Sequence, residues 1–263
     1  MKEKKLICSL FISSYPIICR KGSLKQNDGR YAQERYLTTT IYYSNIIYSG
    51  CSTSTDTDSL GNVVDVFNDG DLGVYKHDND EKGTEQELAD HSSSNTSAGG
   101  EKMGETEYWD EFGTEGKIKG DARIYFGTSW DFYIDRMNAE ANKLGLSAVA
   151  FMSLPGGKYD IKTQGLYATK GSHVGRMLRG KYAMARSAGN YLAGMNGATG
   201  EIKGKHISLE IYMRMAGALH ALKNRTNPFK TPYYGEIPYA GRQIVAGFNY
   251  GVHKTVSKKW LAQ

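Results

Sequence analysis

Proline is scarce in this 263-residue chain, at 5 residues, which excludes an extended proline-rich stalk. Cysteine is scarcer: Cys8, Cys19 and Cys51 all fall in the first fifth of the chain. No disulfide framework can therefore hold the remainder, and there is no Cys-x2-Cys metal knuckle. Apolar runs of about 20 residues, the length of a membrane-spanning helix, are missing. A mean hydropathy of −0.52 with 23% charged residues is what a soluble chain has. Glycine is plentiful at 31 residues but follows no Gly-X-Y period, which excludes collagen. The chain must fold by a core of its own, and 19 tyrosines supply much of the bulk for one.

Acidic residues are lacking in one region only. Residues 150–263 hold 17 Lys and Arg against 4 Asp and Glu, a net of +13, whereas residues 51–149 hold 8 against 21, a net of −13. Such segregation marks parts with different partners, or an acidic part lying on a basic one. The basic end generates a field that concentrates polyanions, whether nucleic acid or an anionic envelope polymer.

Residues 1–50 read as a leader or a poorly ordered segment. A basic start precedes Leu6–Cys19, an apolar run of signal-peptide length, although Pro16 and the absence of a small-x-small cleavage site make a weak export signal. Tyr48-Ser49-Gly50-Cys51 is similar to a lipoprotein cleavage box behind too polar a run. Residues 51–78 read as a short β-hairpin connector: Val63–Phe67 as one arm, Asn68-Asp69-Gly70 as the turn and Leu72–Tyr75 as the other arm. A calcium loop counted from Asp65 fails, because Phe67 and Lys76 stand where ligands are needed. Residues 79–107 lack apolar periodicity and read as an acidic flexible linker.

Residues 108–263 read as a basic, mainly helical domain. Trp130, Ile134, Met137, Ala141 and Leu144 recur at helical spacing, with Thr128 or Ser129 to cap. A second helix spans Tyr182 to about Thr199, with small residues at Ala185, Gly189, Ala193 and Gly197 for close approach of a helix or substrate. A third runs from Ser208, a good N-cap, to about Lys223, and a fourth opens at Pro238 and runs toward Gly251. The expected fold class is mainly α (α+β overall), a compact helical C-terminal domain with a small β-hairpin upstream.

The four carboxylates of the basic end are Asp160, Glu201, Glu210 and Glu236. Glu201 sits in a glycine-rich turn and Glu210 suits a helix start. Asp160, between Lys158 and Lys162, and Glu236, just before a helix start, are the candidates for paired acid–base work in glycoside hydrolysis. The bland alternative is an ion pair for each with a nearby Lys or Arg. His173 in Gly171-Ser172-His173-Val174-Gly175-Arg176 is the candidate general base, with Arg176 beside it. With Glu236 as the acid and Arg176 to clamp phosphate and bind substrate, it would suffice for metal-independent RNA cleavage. No His-Glu-x2-His or His-x-His spacing appears, so no metal site and no cofactor are expected. Gly194–Lys205 breaks the phosphate-loop spacing at Thr199, and nucleotide binding is rejected.

Four segments in order, PGGKYDIK (155–162), ARSAGNYLAG (185–194), YMRMAGALH (212–220) and YGEIPYAGRQIVAGFNYG (234–251), resemble polymorphic toxin type 44 domains. Asp160 and Lys162 match the first motif of that family, Gly189, Asn190 and Gly194 the second, and Glu236 and Pro238 the third. Tyr159 replaces the usual Trp, and Ala240 or Gly241 stands where an acid is usual. Residues 61–78 also resemble connectors ahead of toxin modules in Rhs/YD-repeat proteins. The resemblance implies a C-terminal toxin of interbacterial competition, carried by the producing cell's delivery system into a target cell and neutralised by an immunity protein. The expected activity is hydrolysis of an envelope polymer, peptidoglycan before RNA, in the periplasm rather than the cytoplasm and without stable membrane insertion. Asp160 and Glu236 would share the acid–base work while Lys162, Asn190, Gly189 and Gly194 meet substrate. The rivals are a ribonuclease using His173, Arg176 and Glu236, and a binding module with no chemistry.

Overall fold

The computed structural model describes residues 52–90, 99–107, 111–113, 122–164, 171–224, 226–227, 229–230 and 232–261. The leader, the export signal and the lipoprotein-like box expected in residues 1–51 lie outside the described residues. In chain order come β1 (Thr53–Thr57), β2 (Val63–Asn68), β3 (Gly73–Lys76), α1 (Glu81–Asp90), β4 (Glu101–Glu105) and β5 (Arg123–Ser129). Next are α2 (Asp131–Ala141), α3 (Leu146–Met152), a 3-10 turn (Ile161–Thr163), β6 (Val174–Leu178) and β7 (Lys181–Met184). The chain closes with α4 (Ala185–Thr199), α5 (Leu209–Asn224) and α6 (Pro238–Leu261).

The expected mainly helical class is therefore corrected: the described residues form an α/β structure with two mixed sheets, seven strands and six helices. The helices at the basic end fall where periodicity places them, except that Tyr182 belongs to β7. The strands escaped because β6 and β7 are 5 and 4 residues long. In β6 the inward face carries Arg176, which breaks the apolar signature of a buried strand.

The upstream hairpin is corrected too. The first sheet has order β2-β1-β3-β4, with β1 antiparallel to β2 and parallel to β3. The hairpin is thus β1–β2. Its loop is organised by Asp58, whose Oδ1 accepts the Leu60 and Asn62 N–H groups at 2.9 and 2.8 Å, and by Gly61 at a φ of 84°. Asn68-Asp69-Gly70 does turn the chain, but around β1, because the Ser54 hydroxyl donates to Asp69 Oδ2 at 2.7 Å. The expected flexible linker contains α1 and β4. Local pattern does not hold α1; the buried His77 does, with Nδ1 at 2.9 Å from Glu87 Oε2 and Nε2 at 2.9 Å from Asp56 Oδ1.

The second sheet has order β5-β6-β7, parallel then antiparallel. It is joined to the first. The Val63 N–H donates to Ala122 O at 2.9 Å, the Ile124 N–H to Gly61 O at 2.7 Å, and Thr106 bridges Tyr182. One core cluster holds Val63, Val74, Phe112 and Ile124 from the acidic part with Tyr182, Met184 and Tyr239 from the basic end. At the seam Lys181 Nζ lies 2.7 Å from Glu105 Oε2. Acidic and basic parts thus share one apolar core.

Beside the second sheet, Leu192 and Met195 of α4 are fully buried with Trp130 and Ile134 of the α2 segment and with Tyr159 and Ile161. A Cβ on Gly194 would overlap the Ile244 carbonyl oxygen, one on Gly247 the Tyr191 carbonyl oxygen, and one on Gly251 the Ala198 side chain. Ser187 meets Tyr239, Tyr191 meets Gly247 and Ala198 meets Gly251, so α4 and α6 run in the same direction. Helix α5 returns against them: Gly197 meets the Tyr212 ring, and Gly217 meets Tyr234 just before α6.

Candidate functional site

Two parallel helices, α4 and α6, bring their N-termini to one end, where the aligned peptide dipoles favour negative charge. Four segments meet there. Pro238 opens α6 and places Glu236 just ahead of its first turn. The last turns of α5 bring His220 opposite, with Nδ1 at 3.2 Å from Glu236 Oε2. Arg186, in the first turn of α4, lies with its guanidinium 4.6 Å over the Tyr239 ring. A hydrogen-bond relay adds the loops: the Arg186 N–H donates to Ser172 O at 3.2 Å, and the Gly171 N–H donates to Lys162 O at 2.9 Å. These backbone bonds tie Asp160–Lys162 and the loop before His173 to the start of α4, and the Arg186–Tyr239 stack ties the start of α4 to the first turn of α6 behind Glu236.

Glu236 is the unusual group. Its side chain is 12% exposed, and burial pushes its carboxyl up to about 7. Burial thus outweighs the N-terminal field of α6, which favours the ionised form. Tyr212 lies close enough for the Glu236 charge to raise its phenol further, and its hydroxyl is occupied, donating to Ala193 O at 2.5 Å. His220 Nδ1, 3.2 Å from Glu236 Oε2, is placed to exchange a proton with that carboxyl.

Asp160 is placed differently. It is 7% exposed; its Oδ2 accepts the Gly156 N–H at 2.9 Å and its Oδ1 lies 3.5 Å from Lys162 Nζ. This is the ion pair of the bland alternative, and no described contact joins Asp160 to Glu236. Lys162 remains partly open, at 35% side-chain exposure. His173 is half-buried, and its carbonyl accepts the Arg123 N–H at 3.2 Å. Arg176, expected to clamp phosphate, is 1% exposed; it donates to Thr128 Oγ1 at 2.6 Å and stacks 4.6 Å over Tyr125. A buried guanidinium with those partners meets no substrate, so its expected role is corrected to a structural one. Asn190 is half-buried on α4, and a side chain at Gly189 would meet open space. Gly194, expected to meet substrate, instead lets the α6 backbone approach.

Sequence reasoning missed His220 as a chemical group, assigning it to the helix dipole alone. It also missed a buried polar cluster at the same end. Glu111, 1% exposed, accepts the Met184 N–H at 2.7 Å, the Ser187 hydroxyl at 2.5 Å and the Tyr239 hydroxyl at 3.2 Å. Nothing local in the acidic segment distinguishes Glu111 from its neighbours; only the fold brings it here.

Among the described residues, no group of three or more His, Cys, Asp and Glu side chains is placed to hold a metal ion. No described helix is long and apolar enough to cross a membrane. No protein-family model, curated protein or solved structure matches the chain.

Proposed function

We propose that this chain is a hydrolase of the bacterial toxin class that cleaves a glycan of the cell envelope, peptidoglycan first, with Glu236 as its proton donor. The observation that carries the reading is a buried carboxyl held at about 7, which keeps its proton near neutral pH. Glycoside cleavage needs such an acid beside the leaving oxygen. As the C1–O bond breaks, Glu236 passes its proton to the glycosidic oxygen; water adds at C1, and its released proton returns to the Glu236–His220 pair. His220, 3.2 Å away, is the group through which that proton is regained. The basic balance of residues 150–263, 17 Lys and Arg against 4 Asp and Glu, favours an anionic polymer. Asp160, bound to the Gly156 N–H and Lys162, shapes its own loop.

Delivery to a target periplasm and neutralisation by an immunity protein belong to the same proposal and rest on the four toxin-like segments. The test is to express the whole chain in bacteria with and without an added export signal, and to incubate purified protein with peptidoglycan and with RNA. Death only after export, with soluble sugar fragments released, is expected; Glu236→Gln abolishes both. Death in the cytoplasm with degraded RNA replaces this reading with the ribonuclease. A folded chain inert toward both polymers replaces it with a binding module.

A further inference from the structure

Beneath the candidate site lies a carboxylate that the acid–base chemistry does not use. Glu111 belongs to the acidic part of the sequence, yet its side chain is buried in the basic part. Its partners come from two helices. From the junction of β7 and α4 come the N–H of Met184, the N-cap of α4, at 2.7 Å and the Ser187 hydroxyl at 2.5 Å. From the first turns of α6 come the Tyr239 hydroxyl at 3.2 Å and the Gln243 amide at 3.4 Å. Ser187 and Tyr239 are also hydrogen-bonded to each other. Phe112, 1% exposed in the shared core, anchors the segment from below.

Three features make this more than a helix cap. A carboxylate at a helix N-terminus needs partners from one helix only, whereas Glu111 ties two together. Tyr239 stands one turn after Glu236, so whatever fixes Tyr239 fixes the entry of the chain into α6. The same ring lies under the Arg186 guanidinium at 4.6 Å, which links the tie to the loops holding Asp160 and His173. Deleting the carboxylate leaves the Ser187 and Tyr239 hydroxyls and the Met184 N–H without their common acceptor, in a place closed to water.

We propose that Glu111 is a positioning residue for the Glu236–His220 pair: its carboxylate clamps the first turn of α6 to the first turn of α4 and so sets where Glu236 meets His220. The proposal rests on the reading of that pair as the reacting centre, and it deepens it by making a residue of the acidic segment part of the site. Glu111 itself touches no substrate. The groups that face Glu236 are His220 and Tyr212 of α5. Those that face the clamp are Arg186 of α4 and Tyr239 of α6. The Glu111 carboxylate therefore acts on Glu236 through the position of the turn.

The test uses the full chain and reads Glu236 directly, by NMR titration of its side-chain carboxyl in protein labelled at glutamate, alongside kcat and KM on peptidoglycan. Two variants are compared with wild type: Glu111→Gln, which keeps the shape, and Tyr239→Phe, which removes one hydroxyl and keeps the ring beneath Arg186. In both, the Glu236 midpoint is expected to drop by about one unit as the turn loosens and water reaches the carboxyl. The expected fall in kcat is about 100-fold with KM nearly unchanged, the cost of a misplacement of about 1 Å. If Glu111→Gln does not fold, Tyr239→Phe alone decides. An unmoved midpoint overturns the proposal, whatever happens to melting temperature. A moved midpoint in a chain that cleaves no polymer keeps the clamp and removes only the hydrolase reading.

Discussion

A carboxyl that titrates near neutrality ties Glu236 to pH in two ways. The catalytic consequence is a rate that falls as pH rises through about 7, where Glu236 loses its proton. The second consequence concerns stability, and its sign is opposite to that of an ordinary salt-bridged carboxylate. The folded chain binds the Glu236 proton more tightly than the unfolded chain does, so the contribution is fully present below the unfolded value of 4.5 and is lost as pH rises through about 7. A difference of this size corresponds to about 3 kcal/mol, at roughly 1.4 kcal/mol per pH unit. Glu236→Gln, which cannot ionise, should therefore equal or exceed wild type in urea unfolding at pH 8 while losing about 100-fold or more in kcat. Equal pH dependence in both proteins would remove the buried-acid assignment. Much of this centre was legible beforehand: Glu236 stands out because acids are scarce in a tail rich in lysine and arginine. Its partner was not, since His220 acquires meaning only when α5 folds back 16 residues earlier in sequence. Arg176 shows the reverse failure. A loop-like Gly-Ser-His-Val-Gly-Arg string suggested a solvent-facing clamp, and the fold turned it into a core strand.

Between elements, packing distance decides what each small residue is for. Glycine costs a helix about 1 kcal/mol relative to alanine, and α4 and α6 recover that cost where their backbones touch. Gly194→Ala and Gly247→Ala would each drive a methyl group into a carbonyl oxygen of the partner helix, so both should destabilise by about 1–3 kcal/mol. Gly189→Ala meets open space and should stabilise by up to about 1 kcal/mol, while activity falls if Gly189 borders substrate. Chemical denaturation of the three variants orders them directly. The stripe of small residues was visible in sequence, but which member faced a helix and which faced solvent was not, because that depends on the direction of α6. Helix α1 presents a different balance. It is secured by His77, whose proton is held more tightly by its hydrogen bond to Asp56, with burial opposing and the bond to Glu87 assisting. Burial raises Asp56 in turn, with His77 lowering it. The His77 contribution is complete below the unfolded value of 6.5 and is lost as pH rises through the higher folded value. Amide exchange in α1 should therefore accelerate toward alkaline pH beyond its intrinsic rise, and His77→Gln should remove that excess.

At the scale of the molecule, the reading of a separate basic, helical domain suggests a cut that the core forbids. A basic domain excised near residue 120 retains every helix periodicity foresaw, along with all three strands of the second sheet. It nevertheless loses Val63, Val74 and Phe112, three members of the cluster that buries Ile124, Tyr182, Met184 and Tyr239. Fully burying one such side chain is worth about 1.5–3 kcal/mol, against a total stability of about 5–15 kcal/mol for a domain. The cut also removes Glu111 and strips a neighbouring chain from the edge of β7, where Thr106 bridges Tyr182. A chain of residues 120–263 should therefore lose cooperative unfolding, bind hydrophobic dye and aggregate, whereas one of residues 52–263 should melt in a single transition. Charge composition reports where partners of opposite sign can meet; it does not report that here they meet within one chain, across a core of apolar residues drawn from both sides. If residues 120–263 unfold cooperatively with the stability of the longer chain, the acidic sheet is an accessory, and the clamp formed by Glu111 is one as well.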